Sequence, residues 1–345
     1  TTTTTTTTRR KMMKSFSMHT APTEMLRFFD VCPSWKKYVD KNKETSAEQR
    51  EYVSQWSKHI AKKISEKTGL EETSITPQHI VAMWQACQYQ VIVGGYDGDD
   101  DNSNDNDNDG GVGHCDDEEW CSVFDEEDAL TLEFTEDLLS YYKKGRGVEM
   151  AFKVAQPLLN DIVENMEAIV NEKKESEQYI KAKLRFAHAE TLLPLMALMG
   201  LFNDAEPLNS EWSLTRAGER LWKDSILTPF SANIAFGVYN CSSPSPSSSS
   251  PSSSTTMSTS GVVVQMMVNE KETMIPGCST MLCPFTEFKR LMTPALSINF
   301  TELCTLPPVD ANKDQTTTTI NNQQQQQQEE NVKIKKPSKK KKQHQ

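Results

Sequence analysis

The chain has 345 residues, with 37 Lys and Arg against 48 Asp and Glu, a net charge of −11 and 36% apolar residues. That is enough for one large domain or two smaller ones, with long stretches left over that cannot build a core. The acidic balance argues against general nucleic-acid binding, and no apolar run reaches the ~18 residues of a membrane-spanning helix.

The chain opens with eight threonines and RRKMMK, without an initiating Met or a signal peptide. Residues 1–22 are expected to be disordered, and the start reads as that of a fragment. A mostly helical subdomain is predicted over 23–182. Within it, Val53, Trp56, Ile60 and Ile64 recur at steps of three and four, which predicts a helix over 48–64. Thr76 and Pro77 read as an N-cap and a first-turn proline. They open a second helix carrying Ile80, Val81, Trp84, Cys87 and Val91.

Residues 97–119 are expected to be a disordered acidic insert, almost entirely Asp, Asn and Gly in their first half. Within it, DNDNDGGVGHCD (105–116) has the residue order of an EF-hand loop, but the flanking helices that such a loop needs are missing from the pattern. A solvated insertion is the plainer reading and specific calcium binding the alternative. A third helix is predicted over 125–142 through Ala129, Leu132, Leu138 and Tyr142, closed by KKGRG with Gly145 and Gly147 as stop signals. A fourth, over 154–170, carries the clearest stripe: Val154, Leu158, Ile162, Met166, Ile169 and Val170. Pro157 is tolerable only near its start.

The character changes after residue 183. LRFA (184–187) reads as a short buried strand and TLLPLMALMG (191–200) as a helix ended by Gly200. TPFSANIAFGVYNC (228–241) and GVVVQMMVNE (261–270) are compact apolar runs, the second valine-rich and strand-like. IPGCSTMLC reads as a loop and PFTEFKRLM as a short helix. Helices first and strand–helix units later predict an α/β class: a helical subdomain, then part of an α/β layer over 183–305. A Ser/Pro insert (242–260) and a tail (306–345) are expected to be disordered. The tail ends in KIKKPSKKKK. A solvated tail is its plain reading; contact with an anionic membrane surface or nucleic acid, or a nuclear signal, are the alternatives.

The eight cysteines form no CxxC and no Cys–His zinc spacing, so neither metal nor cofactor is predicted. Disulfides and reduced core cysteines both remain open. The chemistry-bearing residues stand in LRFAHAETLLPLMALMG, where His188 and Glu190 interrupt an apolar run. Burying an unpaired ionisable group costs several kcal/mol, so the pair needs partners or a job. If LRFA is a strand, both residues lie just past its carboxyl end at the entrance to a helix. Open α/β sheets hold ligands there, and helical N–H groups favour anions. A histidine can donate to a phosphoryl oxygen, and an acid can protonate a leaving alcohol. The alternative is a first-turn Glu that complements the helix dipole beside a satisfied His.

RFAHAETLLPLMALMGLF, followed by DAEPL, resembles the multiple inositol polyphosphate phosphatases of the histidine acid phosphatase and phytase branch of the histidine phosphatase superfamily. LRFFDVCPSW, WCSVFDEEDA, LLSYYKKGRG, TPFSANIAFGVYNC, VVVQMMVNEKETMIPGC and LCPFTEFKRLM line up in the same order, from about Met25 to Cys304. The resemblance implies a phosphomonoesterase for inositol polyphosphates such as phytate and for 2,3-bisphosphoglycerate, with an incomplete α/β/α histidine-phosphatase domain. In that family a histidine in an R-H-G-x-R-x-P motif attacks phosphorus. The resemblance makes Glu190 the proton donor, gives His188 a role in stabilising the transferred phosphoryl group, and places Lys143, Lys144 and Arg146 at the substrate pocket. It implies the bridges Cys87–Cys121, Cys278–Cys283 and Cys32–Cys304, leaves Cys241 to pair outside this sequence, and gives Cys115 no obvious partner.

Such bridges imply a protein of the secretory pathway, extracellular or membrane-associated. The sequon at Asn299 agrees, whereas the ending KKQHQ lacks the ER-retention tetrapeptide of the family's animal members. None of the six histidines, His19, His59, His79, His114, His188 and His344, follows an arginine. The chain is therefore expected to hold the proton-donor half without the nucleophile, and to be inactive and poorly stable alone. The competing expectations are a nucleophile-less relative that binds polyphosphates or a partner, and a calcium- or partner-binding protein built on the low-complexity inserts.

Overall fold

The structure, a computed structural model, describes residues 20–94, 120–171, 182–241 and 261–307. The threonine run, the acidic insert with its EF-hand-like stretch and Cys115, the Ser/Pro insert and the lysine-rich tail lie outside the described residues. The chain divides into two compact units, Thr1–Thr305 and Leu306–Gln345. All elements named below belong to the first.

Two short helices, α1 (Thr23–Leu26) and α2 (Pro33–Trp35), lead into a π-helical turn, Lys36–Asp40. Next comes α3 (Ala47–Thr68), whose buried face is Tyr52, Trp56, Ile60, Ala61 and Ile64. Burying each large apolar side chain contributes roughly 1.5–3 kcal/mol before chain entropy is counted. Gly69 ends α3 at φ 75° and donates its N–H to the Ser65 carbonyl, a left-handed cap that glycine adopts without strain. Helix α4 (Pro77–Gly94) starts on its proline, with the Thr76 hydroxyl accepting from the His79 N–H as the N-cap.

Helix α5 (Glu126–Lys143) begins in a reciprocal capping box between Asp125 and Asp128, and Lys63 of α3 pairs with both carboxylates. The Cys87–Cys121 disulfide ties α4 to the segment ahead of α5. Trp56 Nε1 donates to Thr135 Oγ1 at 3.0 Å, and Tyr52 meets Phe134 edge-on, so α3 and α5 lock along their length.

The helix expected over 154–170 forms and starts two residues later, and a separate short helix precedes it. Helix α6 (Glu149–Lys153) stops, the chain turns through Val154 and Ala155, and α7 (Gln156–Asn171) starts afresh. Pro157 is the cause: its ring excludes the carbonyl four residues earlier, that of Lys153, so the helix restarts with the proline in its first turn.

LRFA is not a strand. Residues 182–188 carry no regular structure, and Leu184 and Phe186 are 68% and 82% exposed. A strand needs a ladder partner for its N–H and C=O groups, and among the described residues none runs beside this segment. It is held by charge to α7: Arg185 donates from Nε to Asp161 at 3.1 Å and Lys183 pairs with the same carboxylate at 3.3 Å.

Helix α8 (Ala189–Leu198) follows, ending at Gly200 with φ 82°. Two short helices, α9 (Leu214–Gly218) and α10 (Asp224–Leu227), precede the strands. Among the described residues the strands form one four-stranded antiparallel sheet: β1 (Ile234–Cys241), β2 (Gly261–Val268), β3 (Lys271–Glu272) and β4 (Leu282–Pro284). Strand β2 is central. It pairs with β1 along its length, from Ile234 opposite Val268 to Cys241 opposite Gly261, and with β3 and β4 at its two ends. Asn269 and Glu270, at φ 50° and 63°, make the tight β2–β3 turn, the twist that suits a two-residue hairpin.

Val263 and Val264 are adjacent and both buried, so β2 is covered on both faces. Helix α11 (Phe285–Leu296) buries Phe288 there, with its ring 6.4 Å from that of Phe236. Cys278 and Cys283 are joined in the loop before β4, and α12 (Phe300–Cys304) ends in a disulfide to Cys32. One contiguous core runs from Phe28 through α3, α5, α7 and α8 to β2 and α11.

Beneath α5 lies a buried polar network. The Arg220 side chain is fully buried, pairs with Asp137 and bonds Glu133 at 2.8 Å, with the Phe134 ring 5.3 Å from the guanidinium. Asp137 also accepts the Asp224 N–H at 2.9 Å, Asp224 accepts the Ser140 hydroxyl at 2.7 Å, and Ser140 accepts the Trp222 indole N–H at 2.9 Å. Burial pushes Asp137 up to about 7, with the Asp224 charge adding to it, and burial pushes Asp224 up to about 6. Both carboxyls thus hold protons more tightly folded than unfolded. The stability this contributes is complete below about pH 4 and is lost as pH rises through both values.

The protein should therefore be more stable at pH 5 than at pH 8 by on the order of 2 kcal/mol, a Tm higher by about 4–8 °C in calorimetry. Replacing Arg220 with Met should cost about 3–5 kcal/mol at pH 8 by urea unfolding, because it leaves buried carboxylates unpaired, and less at pH 5, where they take up protons. A flat profile between the two pH values would show that the network carries no such proton.

Candidate functional site

His188 is the N-cap of α8, with extended backbone (φ −119°, ψ 170°); its carbonyl starts the helix by accepting from Thr191 and Leu192. Its side chain makes no capping bond and is exposed. Glu190 lies in the first turn. Thr191 fixes that turn: its hydroxyl donates to the Leu26 carbonyl at 2.6 Å, pinning α8 against the segment after α1. Below it, Leu193, Leu195 and Met196 are buried in the common core. The polar break in an apolar run thus marks the start of a helix whose remaining residues are core.

The opposite wall comes from α5. The helix ends at Lys143, and glycine is required at 145 because a Cβ there would sit 2.7 Å from the Trp222 ring and 2.9 Å from the Tyr141 carbonyl oxygen. This close approach holds the two lysines of KKGRG in place. Lys144 Nζ lies 3.1 Å from Glu190 Oε1. Lys143 Nζ lies 3.4 Å from the Asp40 carbonyl oxygen and 3.7 Å from Asp40 Oδ1. These groups line one cavity of about 220 Å³ with Phe28, Phe29, Trp35, Ala151, Val154 and Pro194. It has an aromatic and aliphatic floor and a charged rim, the composition of a small-molecule site.

Partial burial pushes the Glu190 carboxyl up, but its own backbone N–H, the Lys144 ammonium and His188 together outweigh this, and the net direction is down. Glu190 therefore rests as a carboxylate.

Of the residues singled out in the sequence, Lys143, Lys144 and Glu190 are brought to the cavity. Arg146 and His188 are not among its lining residues. Arg146 donates to the Ala197 carbonyl at 2.9 Å, at the C-terminal end of α8, with the Phe152 ring 5.3 Å from its guanidinium. A cation there complements the helix dipole. The four-residue KKGR run turns at Gly145, and that turn sends the third cation to the other end of α8. Sequence reasoning missed Asp40 and the aromatic wall. LRFFDVCPSWKKYVD has an aromatic signature, but nothing in its spacing announces a π turn. Among the described residues no group of His, Cys, Asp and Glu is placed to hold a metal.

Residues 9–269 match the family model for the histidine phosphatase superfamily, branch 2. The chain belongs to this superfamily. Among curated relatives, multiple inositol polyphosphate phosphatase 1 of Gallus gallus is 26% identical over 290 residues, 83% of this chain and 57% of the relative. Proteins of the same name from Homo sapiens and Dictyostelium discoideum are 25% and 22% identical, covering 87% and 83% of this chain and 56% and 47% of theirs. The chain spans about half the length of the curated relatives it matches. The crystal structure of a phytase from D. castellii superposes with a TM-score of 0.53 at 18% identity, over 75% of this chain and 46% of that one. The helix-rich body with a small antiparallel sheet thus has the α/β fold of the histidine phosphatases.

The Lys144–Glu190 contact is open to a direct check. Replacing Lys144 with Met should raise the Glu190 carboxyl pKa toward or above the ordinary glutamate value, as read by ¹³C NMR titration of selectively labelled protein. An unmoved titration would mean that the pair is broken in solution.

Proposed function

We propose that this chain carries the proton-donor side of a phosphomonoester hydrolase that acts on inositol polyphosphates. The observation that carries the reading is the cavity in which Lys144 and Glu190 meet, within a member of the histidine phosphatase superfamily. The multiple inositol polyphosphate phosphatases of bird, human and slime mould support the substrate class.

The physics of the site supports the role. A phosphate monoester entering the cavity competes with Glu190 for the Lys144 ammonium. When Lys144 turns to the phosphoryl oxygens, Glu190 loses its main cation and gains an anionic neighbour, and both changes raise its pKa. The carboxylate then takes up a proton and becomes the general acid for the leaving alcohol. In this reading His188, exposed at the N-cap two residues away and outside the cavity lining, donates to a phosphoryl oxygen when the ester settles over the start of α8.

The attacking group is the family's histidine in an R-H-G motif. Within these 345 residues no histidine follows an arginine, so the 345-residue chain is expected to bind phosphate esters without turning them over. Three disulfides suit an oxidising compartment, and we assign the protein to the secretory pathway.

Calorimetric titration of the 345-residue chain with myo-inositol hexakisphosphate tests this. Binding is expected, weakened at least about ten-fold by Lys144→Met through loss of a charge-assisted contact, with no phosphate release above background. Absence of binding would overturn the reading. Sustained phosphate release would overturn the assignment of the nucleophile to residues outside this sequence.

A further inference from the structure

Asp40 remains unexplained by the reading above. It closes the π-helical turn, where Lys41 donates its N–H to the Lys36 carbonyl five residues back at 3.0 Å. Such wide turns recur at functional sites. The turn is braced from below: Val39 is fully buried and its carbonyl accepts the Thr45 hydroxyl at 2.8 Å. Asn42 Nδ2 donates to the Tyr38 carbonyl at 3.2 Å. The Cys32–Cys304 disulfide anchors the segment just ahead of the turn. A braced turn thus presents a carboxylate at the cavity rim.

The charge balance makes that carboxylate consequential. The cavity residues include two lysines, Lys143 and Lys144, and two carboxylates, Asp40 and Glu190. Arg146, which would tip the balance, is engaged at the far end of α8. A polyanion gains nothing from a neutral rim until a carboxylate is displaced or protonated. Glu190 has a use for that proton. Asp40 has no leaving group to serve, and its charge opposes every phosphate added to the ligand.

We infer that Asp40 is a specificity-determining residue, whose carboxylate limits how many negative charges the cavity accepts on a phosphate ester. The inference rests on the phosphate-ester reading of the cavity. The penalty from a fixed charge several ångströms from the ligand scales with the ligand's own charge and is screened by salt. It therefore falls hardest on the most highly phosphorylated ligand and least on inorganic phosphate.

The test is calorimetric titration of the full 345-residue chain and its Asp40→Asn variant with inorganic phosphate and with myo-inositol hexakisphosphate at one ionic strength. Asp40→Asn should tighten hexakisphosphate binding by about three- to ten-fold and that of inorganic phosphate by less than about two-fold. The difference should shrink as salt is raised. An equal effect on both ligands, no effect, or weaker hexakisphosphate binding would overturn the inference; weaker binding would make Asp40 a positioning residue for Lys143. If the wild-type chain binds hexakisphosphate and Lys144→Met weakens it, such a result defeats this inference alone. If the wild-type chain binds neither ligand, the phosphate-ester reading fails and this inference with it. Asp40→Ala, with Tm compared, separates the lost charge from lost folding: it should tighten hexakisphosphate binding as Asn does.

Discussion

The position of α5 depends on one buried guanidinium. Arg220 is fully buried and holds Asp137 and Glu133 from the same helix. Isolated, that charge would cost several kcal/mol to bury; with two carboxylates and the Ala217 carbonyl around it, the cost is offset. The arrangement fixes α5 in register, since Asp137 and Glu133 lie one turn apart and both must meet the same cation. It also places Trp222 two residues from Arg220, with its ring against Gly145. The end of α5 and its two lysines are aimed by that contact. The cavity is downstream of the network, and the network is specified by charge pairing that an apolar pattern does not reveal.

The same carboxyl chemistry gives opposite results at the two places. Asp137 moves up because it is buried and faces the Asp224 charge, and Asp224 moves up because it is buried, with the Glu136 charge adding to it; the nearby cations and hydrogen bonds do not outweigh this. Glu190 is 47% exposed on its side chain, and its backbone N–H, Lys144 and His188 outweigh its desolvation. One set of acids keeps a proton near neutrality for the sake of the fold. The other rests ionised, and under the proposed function an arriving anion is what makes it an acid. In that reading, dependence on the ligand separates a functional carboxylate from a structural one more sharply than burial does.

The helices were legible where a local signal coincided with the core. The apolar stripe of α3, the Thr76–Pro77 start of α4 and the Gly200 stop are written in neighbouring residues, and local physics decides them. The start of α7 was legible to within two residues, since Pro157 announces a first turn and the apolar stripe follows from Leu158. LRFA misled because four apolar residues look like a buried strand whatever lies beside them; strand or not is decided by a ladder partner, which is non-local. The family and the disulfide pairings were legible only by resemblance, through blocks such as RFAHAETLLPLMALMGLF. Asp40 was invisible because a π turn is a property of backbone register, not composition.

Three segments meet at the cavity: 28–40, 143–154 and 190–194. None can form its part alone, since the π turn needs Val39 buried, the lysines need Trp222 behind Gly145, and Glu190 needs Thr191 bonded to Leu26. The first segment is held by the Cys32–Cys304 bridge across a sequence separation of 272 residues. Closing a loop that long restricts the unfolded chain strongly, and it joins the aromatic wall to the C-terminal end of the core. Thr191 is bonded to Leu26 at the head of that segment, so loosening of the wall would reach both pairs, Lys143 with Asp40 and Lys144 with Glu190. Under the proposed function, ligand selectivity and proton donation are therefore coupled through the bridged N-terminal segment, which carries Asp40 directly and holds Glu190 through the Thr191–Leu26 bond.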